Sequence, residues 1–130
     1  MKLNKNQIER YSRQIILKDI GPLGQKKLLK ASILVVGTGG LGSPILAYLS
    51  GAGIGSIGII DYDKVNISNL HRQILFETDD IKKSKSKLAY LKIKRINPDI
   101  KVKFFRKKLI NQNIKEVGKD YDILVDGSDN

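Results

Sequence analysis

Cysteine is absent from the 130 residues, and histidine occurs once, as His71. Without cysteine the chain offers no disulfide framework, no thiolate zinc site and no cysteine nucleophile. One histidine cannot form a metal cluster by itself. No apolar run comes near the ~20 residues of a membrane-spanning helix, and the polar N-terminus lacks the apolar core of a signal peptide. A soluble, cytoplasmic protein with no membrane partner is the expectation. Acidic residues are scarce in one half of the chain. Lys82 to Lys119 holds 14 Lys and Arg against Asp99 and Glu116, whereas the rest has 10 basic and 11 acidic residues, for a net charge of +11. A basic half can signal nucleic acid, yet no RRM, KH, zinc-finger or basic-zipper pattern accompanies it. Only Tyr90, Phe104, Phe105 and Tyr121 offer aromatic faces there. Most of the lysines alternate with Ile, Leu and Val, as on a solvated face. Nucleic acid is therefore set aside, and a non-specific pull on a triphosphate or an acidic protein is the second reading of the charge.

Glycine, by contrast, is concentrated where it matters. In VVGTGGLGSPILAYLSGAG, from Val35 to Gly53, an apolar strand runs into a loop with glycines at 37, 39, 40 and 42, followed by apolar residues at helical spacing. Glycines let a backbone turn sharply and approach a phosphate, and the helix behind them points its positive end at the same place. Gly37, Gly39 and Gly42 satisfy the G-x-G-x-x-G pattern, and a second apolar strand ends in Asp61, placed to hold ribose hydroxyls. These facts fit a nicotinamide-dependent enzyme and an ATP-binding enzyme equally well. The plainer alternative is that the glycines only allow close helix–strand packing.

The length suits one domain with one core. Apolar spacing predicts an amphipathic helix from Asn6 to about Lys18, broken at Gly21-Pro22, and a short helix over Leu23–Leu29. This helical arm, residues 1–30, precedes a core of residues 31–130. In the core, strands are predicted at Ser32–Val36, Ser56–Ile60, Lys101–Phe105 and Ile123–Val125. Helices are predicted at Leu41–Leu49, from about Lys85 to Ile96, and near Gln112–Val117. The alternation predicts an α/β, Rossmann-like parallel sheet of order 3-2-1-4, about half of a doubly wound fold. Ligands bind such sheets outside the carboxyl ends of the strands. There the glycine loop, Asp61 with Asp63, and Asp126 with Asp129 converge.

The polar excursion from Asp61 to about Ser84 separates the readings. Asn69, Arg72 and Gln73 lie just beyond Asp61, with Lys85 further on. A dinucleotide has no use for so many donors and cations, whereas a triphosphate develops charge on its outer phosphates when the α-phosphate is attacked. Five segments then carry a family resemblance over nearly the whole chain: RYSRQIIL (Arg10–Leu17), GTGGLG (Gly37–Gly42), DYDKVNISNLHRQILF (Asp61–Phe76), INPDI (Ile96–Ile100) and DGSDN (Asp126–Asn130). The chain resembles the adenylating enzymes of the ThiF/MoeB/HesA group, relatives of the ubiquitin-activating enzymes. NLHRQILF and NPDI look closer to the thiamine-pathway ThiF branch than to the molybdopterin-pathway MoeB branch.

The resemblance implies a set of roles. Gly37, Gly39, Gly40 and Gly42 match the nucleotide loop, and Asp61 the ribose-binding acid. Asn69, Arg72 and Lys85 match the residues that grip the triphosphate, Asp129 the aspartate that places Mg²⁺, and Arg13 an arginine that reaches the neighbouring subunit's ATP in a homodimer. The implied activity is ATP- and Mg²⁺-dependent adenylation of a small ubiquitin-like sulfur-carrier protein ending in Gly-Gly, with catalysis resting on Arg72, Lys85 and Arg13. Read singly, Arg13 and Lys85 are ordinary surface charges, Asp126 caps a strand, and Arg72 ties its loop to an acid such as Asp63. Three departures stand out. Lys82-Lys83-Ser84 occupies the stretch before Lys85 where the family usually has a glycine. DGSDN replaces the more usual Asp-Cys-Thr-Asp-Asn. Lastly, the family continues beyond position 130 with further strands, zinc-binding cysteines and much of the carrier-docking platform, so the chain is expected to be the N-terminal portion of such a domain. Three readings outside the ThiF branch remain: MoeB-like carrier adenylation, a nicotinamide-dependent oxidoreductase, and a non-catalytic binding module.

Overall fold

Leu34 and Val35 point to opposite faces of one strand, yet both are fully buried. Strand β1 (Ser32–Val36) must therefore be covered on both sides, as parallel sheets are. The computed structural model describes residues 2–128. β1 pairs in parallel with β2 (Ser56–Ile60) and β4 (Ile123–Asp126), and β2 pairs with β3 (Lys101–Phe105). The order is β3-β2-β1-β4, the 3-2-1-4 arrangement that the alternation predicts. Register aligns the carboxyl ends: Val36 lies opposite Ile60 and Asp126, and Ile60 opposite Phe105. The residues that follow these ends share one rim.

One face of the sheet packs Ile33, Val35, Ile57 and Ile59 against Leu46 of α4 (Gly42–Gly51) and Ala89 and Ile93 of α5 (Lys85–Ile96). The other face packs Leu34 and Ile60 against Val117 of α6 (Ile114–Gly118), with Tyr121 alongside. Tyr121 lies so close to β2 that a Cβ on Gly58 would fall 2.3 Å from its hydroxyl. Burial, and secondarily the charge of Asp120, raise the pKa of that phenol.

The N-terminal segment departs from the expected single helix. It divides into α1 (Lys5–Arg10) and α2 (Ser12–Ile15), with Tyr11 leaving helical geometry at φ −103° and ψ 13°. A tertiary contact explains the break. Tyr11 is 2% exposed, and its hydroxyl accepts a 2.8 Å hydrogen bond from Asn97 Nδ2, which also donates to the Ser50 carbonyl. Ile16 and Leu17, expected on the apolar face, are exposed instead. Gly21-Pro22 opens α3 (Gly21–Lys30) rather than only ending the helix before it: Gly21 has φ +60° and Pro22 sits in the first turn. Gln14 and the fully buried Gln25 both donate to the Ala52 carbonyl, at 2.6 and 3.1 Å, fastening this segment to the end of α4.

The excursion between β2 and α5 is held down by buried Val65, Leu75 and Phe76 and contains two 3₁₀ turns, Ile67–Asn69 and Thr78–Asp80. It ends in a tight return: Lys82 N–H donates to the Val65 carbonyl at 2.7 Å, and Lys85 N–H to the Asp63 carbonyl at 3.1 Å. Lys82 takes φ +71°, the only positive φ outside glycine among the described residues. The glycine missing from Lys82-Lys83-Ser84 thus leaves a left-handed backbone that a lysine must adopt, at a cost of about 1–2 kcal/mol. Lys82→Gly is expected to raise the melting temperature by up to a few degrees, after the entropy cost of glycine is subtracted. Lys82→Val, with a branched Cβ, is expected to lower it. Thermal unfolding followed by circular dichroism checks both, and a melting point lowered by Lys82→Gly contradicts the reading.

Candidate functional site

At the end of β1 the chain turns through Gly37, at φ +89°, and passes into α4. A Cβ on Gly42 would fall 1.9 Å from the Gly37 carbonyl oxygen, and one on Gly127 would fall 3.0 Å from Gly42 Cα. The first turn of α4 therefore rests directly on the ends of β1 and β4. Close packing does explain Gly42, but it leaves the rest of the loop unexplained. The N-cap residue, Leu41, supplies no side-chain cap, and the N–H groups of Gly39, Gly40 and Leu41 have no acceptor among the described residues. An uncapped helix N-terminus with open donors and a positive dipole end is suited to an anion.

Asp61 fastens this loop from β2. Its Oδ2 accepts from Thr38 N–H at 2.9 Å and from the Thr38 hydroxyl at 2.7 Å, and its Oδ1 accepts from Asp63 N–H at 2.8 Å. A carboxylate has about four acceptor sites, so it can anchor the loop and still accept from a ligand hydroxyl. Lys85, at the start of α5, is only 6% exposed, and its Nζ lies 4.0 Å from Asp63 Oδ2. On the far side, Asp126 accepts from the Ser128 hydroxyl at 2.5 Å and from its N–H at 3.0 Å. These bonds, the hydroxyl's first, hold the Asp126 carboxyl below its ordinary pKa.

The groups enclose a cleft of about 400 Å³, within the range of small-ligand sites. Val36, Ile60, Leu109, Ile114 and Leu124 give it an apolar wall, and Gly37–Gly39, Asp61, Asp63, Gln73, Lys85 and Asp126 a polar one. Two cations stand along it: Lys107 Nζ is 5.9 Å from the Phe105 ring centroid, and Lys108 Nζ is 5.7 Å from that of Tyr62.

Of the residues singled out from sequence, Gly37, Gly39, Asp61, Asp63, Gln73, Lys85 and Asp126 line this cleft. Gly40 and Gly42 shape the loop without lining it. Asn69 points its Oδ1 at Asn66 N–H, 2.9 Å away, within its own turn. Arg72 is exposed, lies against Gly40, and donates from Nη1 to the Ser68 carbonyl at 3.1 Å. The link from Arg72 to Asp63 is not formed; Lys85 takes that acid. Arg13 is exposed on α2 with no hydrogen bond or ion pair among the described residues. Asp129 lies outside the described residues. Thr38, Lys107, Lys108 and Leu109 were passed over in the sequence. A hydroxyl residue next to the first glycine could have pointed to Thr38, but the lysines are submerged in the basic run. The described residues hold no group of three His, Asp or Glu able to bind a metal, and no helix long and apolar enough to cross a membrane.

The sequence profile of the ThiF family matches residues 11–130. The chain belongs to the ThiF family. Among ThiF-family relatives, it is 43% identical over its whole length to a sulfur carrier protein adenylyltransferase of Thermus thermophilus, of which it covers 48%. It is 50% identical over 121 residues to a probable molybdopterin-synthase adenylyltransferase of Porphyra purpurea, covering 93% of this chain and 32% of the relative. Escherichia coli TcdA, a tRNA N6-threonylcarbamoyladenosine dehydratase solved in complex with ATP, superposes with a TM-score of 0.88 at 26% identity. That match covers all of this chain and 53% of TcdA. Escherichia coli MccB, solved with ATP, gives a TM-score of 0.76 at 30% identity over 88% of this chain and 35% of MccB. The chain thus spans about half, or less, of the length of these relatives.

The anchoring of the glycine loop is testable without a ligand. Thr38→Val deletes one charge-assisted bond with little change of shape and is expected to lower the unfolding free energy by about 1.5–3 kcal/mol. Asp61→Asn is expected to cost at least as much, since an amide must turn its own donors toward Thr38 or the Asp63 N–H. Urea denaturation measures both, and an unchanged midpoint for Asp61→Asn contradicts the anchoring role.

Proposed function

We propose that this ThiF-family chain provides the ATP site of an enzyme that adenylates the C-terminal glycine of a small ubiquitin-like sulfur-carrier protein. The observation that carries the proposal is the glycine loop leading to the uncapped N-terminus of α4, which lines one cleft at Gly37–Gly39 together with Asp61 and the buried Lys85. In this reading the base lies along the apolar wall, the ribose hydroxyls donate to Asp61, and the phosphates run from Gly37, Gly39, Gly40 and Gly42 toward Lys85. Asn69 and Arg72 reach the outer phosphates by leaving their present partners within the 67–73 turn. Asp129 would be the protein ligand of a Mg²⁺ ion, which would neutralise phosphate charge while keeping mostly water and phosphate oxygens. The relatives named as a sulfur carrier protein adenylyltransferase and a probable molybdopterin-synthase adenylyltransferase support the substrate class.

The chemistry needs no protein nucleophile. A carboxylate oxygen of the carrier's terminal glycine attacks the α-phosphorus, the bond to the bridging oxygen breaks, and pyrophosphate leaves with its electron pair. The products are the acyl-adenylate and pyrophosphate. Lys85 and Arg72 stabilise the charge that grows on the leaving group, and the glycine loop holds the α-phosphate in line. Arg13, exposed and without a partner among the described residues, completes the site of a second copy in a homodimer. A ThiS-like carrier of the thiamine pathway is the favoured partner on the NLHRQILF and NPDI segments, with a molybdopterin-synthase carrier as the alternative. The basic flank from Lys82 to Lys119 draws in the triphosphate and an acidic carrier face.

The competing nicotinamide reading leaves Lys85 and the basic rim without a task. Thermal-shift titrations separate the two: Mg-ATP is expected to stabilise the chain and NAD to leave it unchanged, and the reverse contradicts the proposal. Pyrophosphate exchange with a Gly-Gly carrier, using the chain extended by the half its relatives carry, tests the reaction. Arg72→Lys is expected to lower that rate by about 10²–10³ with a smaller change in ATP affinity. An unchanged rate with a lowered melting point assigns Arg72 a structural role instead.

A further inference from the structure

Strand β3 stands at the edge of the sheet, paired only with β2, and it carries lysines where β1 and β2 are apolar. Val102 and Phe104 pack into the core that includes α5, while Phe105 packs toward Leu34 and Ile60 on the opposite face. Side chains alternate along a strand, so Lys101 and Lys103 share the face of Phe105, one step of about 6.6–6.8 Å apart. Both are exposed, and their register partners on β2, Ser56 and Gly58, are too small to cover them. The row of cations continues past the strand with Arg106, whose guanidinium carbon lies 5.7 Å from the Phe104 ring centroid. Phe104 in turn packs on Tyr90, with centroids 5.1 Å apart. No acidic residue occurs from Ile100 to Lys115. Lys101, Lys103 and Arg106 form no ion pair or side-chain hydrogen bond among the described residues.

Lysines on an edge strand also guard it against pairing with another chain. That purpose does not extend to Arg106, beyond the strand's end, nor to the lack of acids over the whole stretch. We infer that β3 and the segment leaving it form a docking surface for a single-stranded nucleic acid. The lysines meet successive phosphates, and the Arg106 guanidinium, held flat by Phe104, offers a plane on which a base stacks. Contacts of this kind read no sequence, so the surface needs no base-reading motif. An acidic protein fits it less well. Protein interfaces are built on an apolar and aromatic centre depleted in lysine, and none of the exposed large apolar side chains among the described residues belongs to β3. Lys101, Lys103 and Arg106 do not line the cleft, so the inference stands apart from the nucleotide reading.

Fluorescence anisotropy with a labelled single-stranded RNA of about 20 nucleotides tests it, at salt from about 50 to 200 mM. The wild-type chain is compared with a Lys101→Glu/Lys103→Glu/Arg106→Glu variant. A Lys18→Glu/Lys27→Glu/Lys30→Glu variant, with the same change of net charge on exposed residues of the helical arm, is the control. The β3 variant is expected to bind at least about tenfold more weakly at low salt, with a salt slope reduced by about two. The control is expected to stay within about threefold of wild type. Melting temperatures are recorded in parallel. If the triple variant fails to fold, Lys101→Gln/Lys103→Gln carries the test, with an expected slope reduction of about one. A wild-type chain that binds no RNA overturns the inference, as does an equal loss in the control, which marks net charge alone. Labelled polyglutamate of similar length bound as tightly as RNA, and lost in the same β3 variant, overturns it in favour of an acidic protein.

Discussion

The first turn of α4 can lie on the ends of β1 and β4 only because Gly42 has no side chain. The 1.9 Å that would separate its Cβ from the Gly37 carbonyl leaves room for no other residue. This contact aims the helix axis, with its open N–H groups, at the rim where β1, β2 and β4 end in register. Everything charged in the cleft is arranged around that point. Asp61 fixes the loop from β2, Lys85 arrives at the start of α5, and Asp126 stands at the end of β4. The third glycine of the motif is thus a packing residue with an electrostatic consequence.

The distribution of charge follows the same geometry. Asp61 is engaged by three donors, which keeps a carboxylate beside an anion site without leaving its charge unopposed. Lys85 is nearly buried and has only a long contact to Asp63, so its ammonium keeps capacity for a further partner. Lys107 and Lys108 sit over aromatic rings at the cleft, which holds their charge near the mouth with little loss of hydration. In the proposed function, the loop amides and the three cleft lysines, Lys85, Lys107 and Lys108, are the groups that meet the charge of a triphosphate.

Much of this was legible in the sequence, for identifiable reasons. Buried β1 and β2 read as apolar runs, Ile33–Val36 and Ile57–Ile60, while the less buried edge strands β3 and β4 were legible from alternation at Lys101–Phe105 and a short run at Ile123–Val125. The glycine loop and Asp61 are local features whose function depends on residues close by in sequence. What escaped depends on distant partners. Tyr11 fits a helical stripe with Ile8 and Ile15, and only Asn97, 86 positions away, shows why the helix breaks there. The glycine missing from Lys82-Lys83-Ser84 was visible as a departure, but only the return from Val65 shows that Lys82 takes the left-handed backbone. Asn69 and Arg72 carry the right chemistry for phosphate, yet without a ligand their side chains satisfy their own turn. A motif identifies residue types; it does not fix the rotamers of exposed side chains before binding.

The central claim is that the amides at the entry to α4 receive a phosphate. Amide-resolved NMR on the isotopically labelled chain, titrated with AMP and separately with adenosine, tests it most directly. The account predicts that the Gly39, Gly40 and Leu41 amide protons move strongly downfield with AMP and scarcely at all with adenosine. AMP binding that perturbs the cleft but leaves those three amides where they were contradicts it.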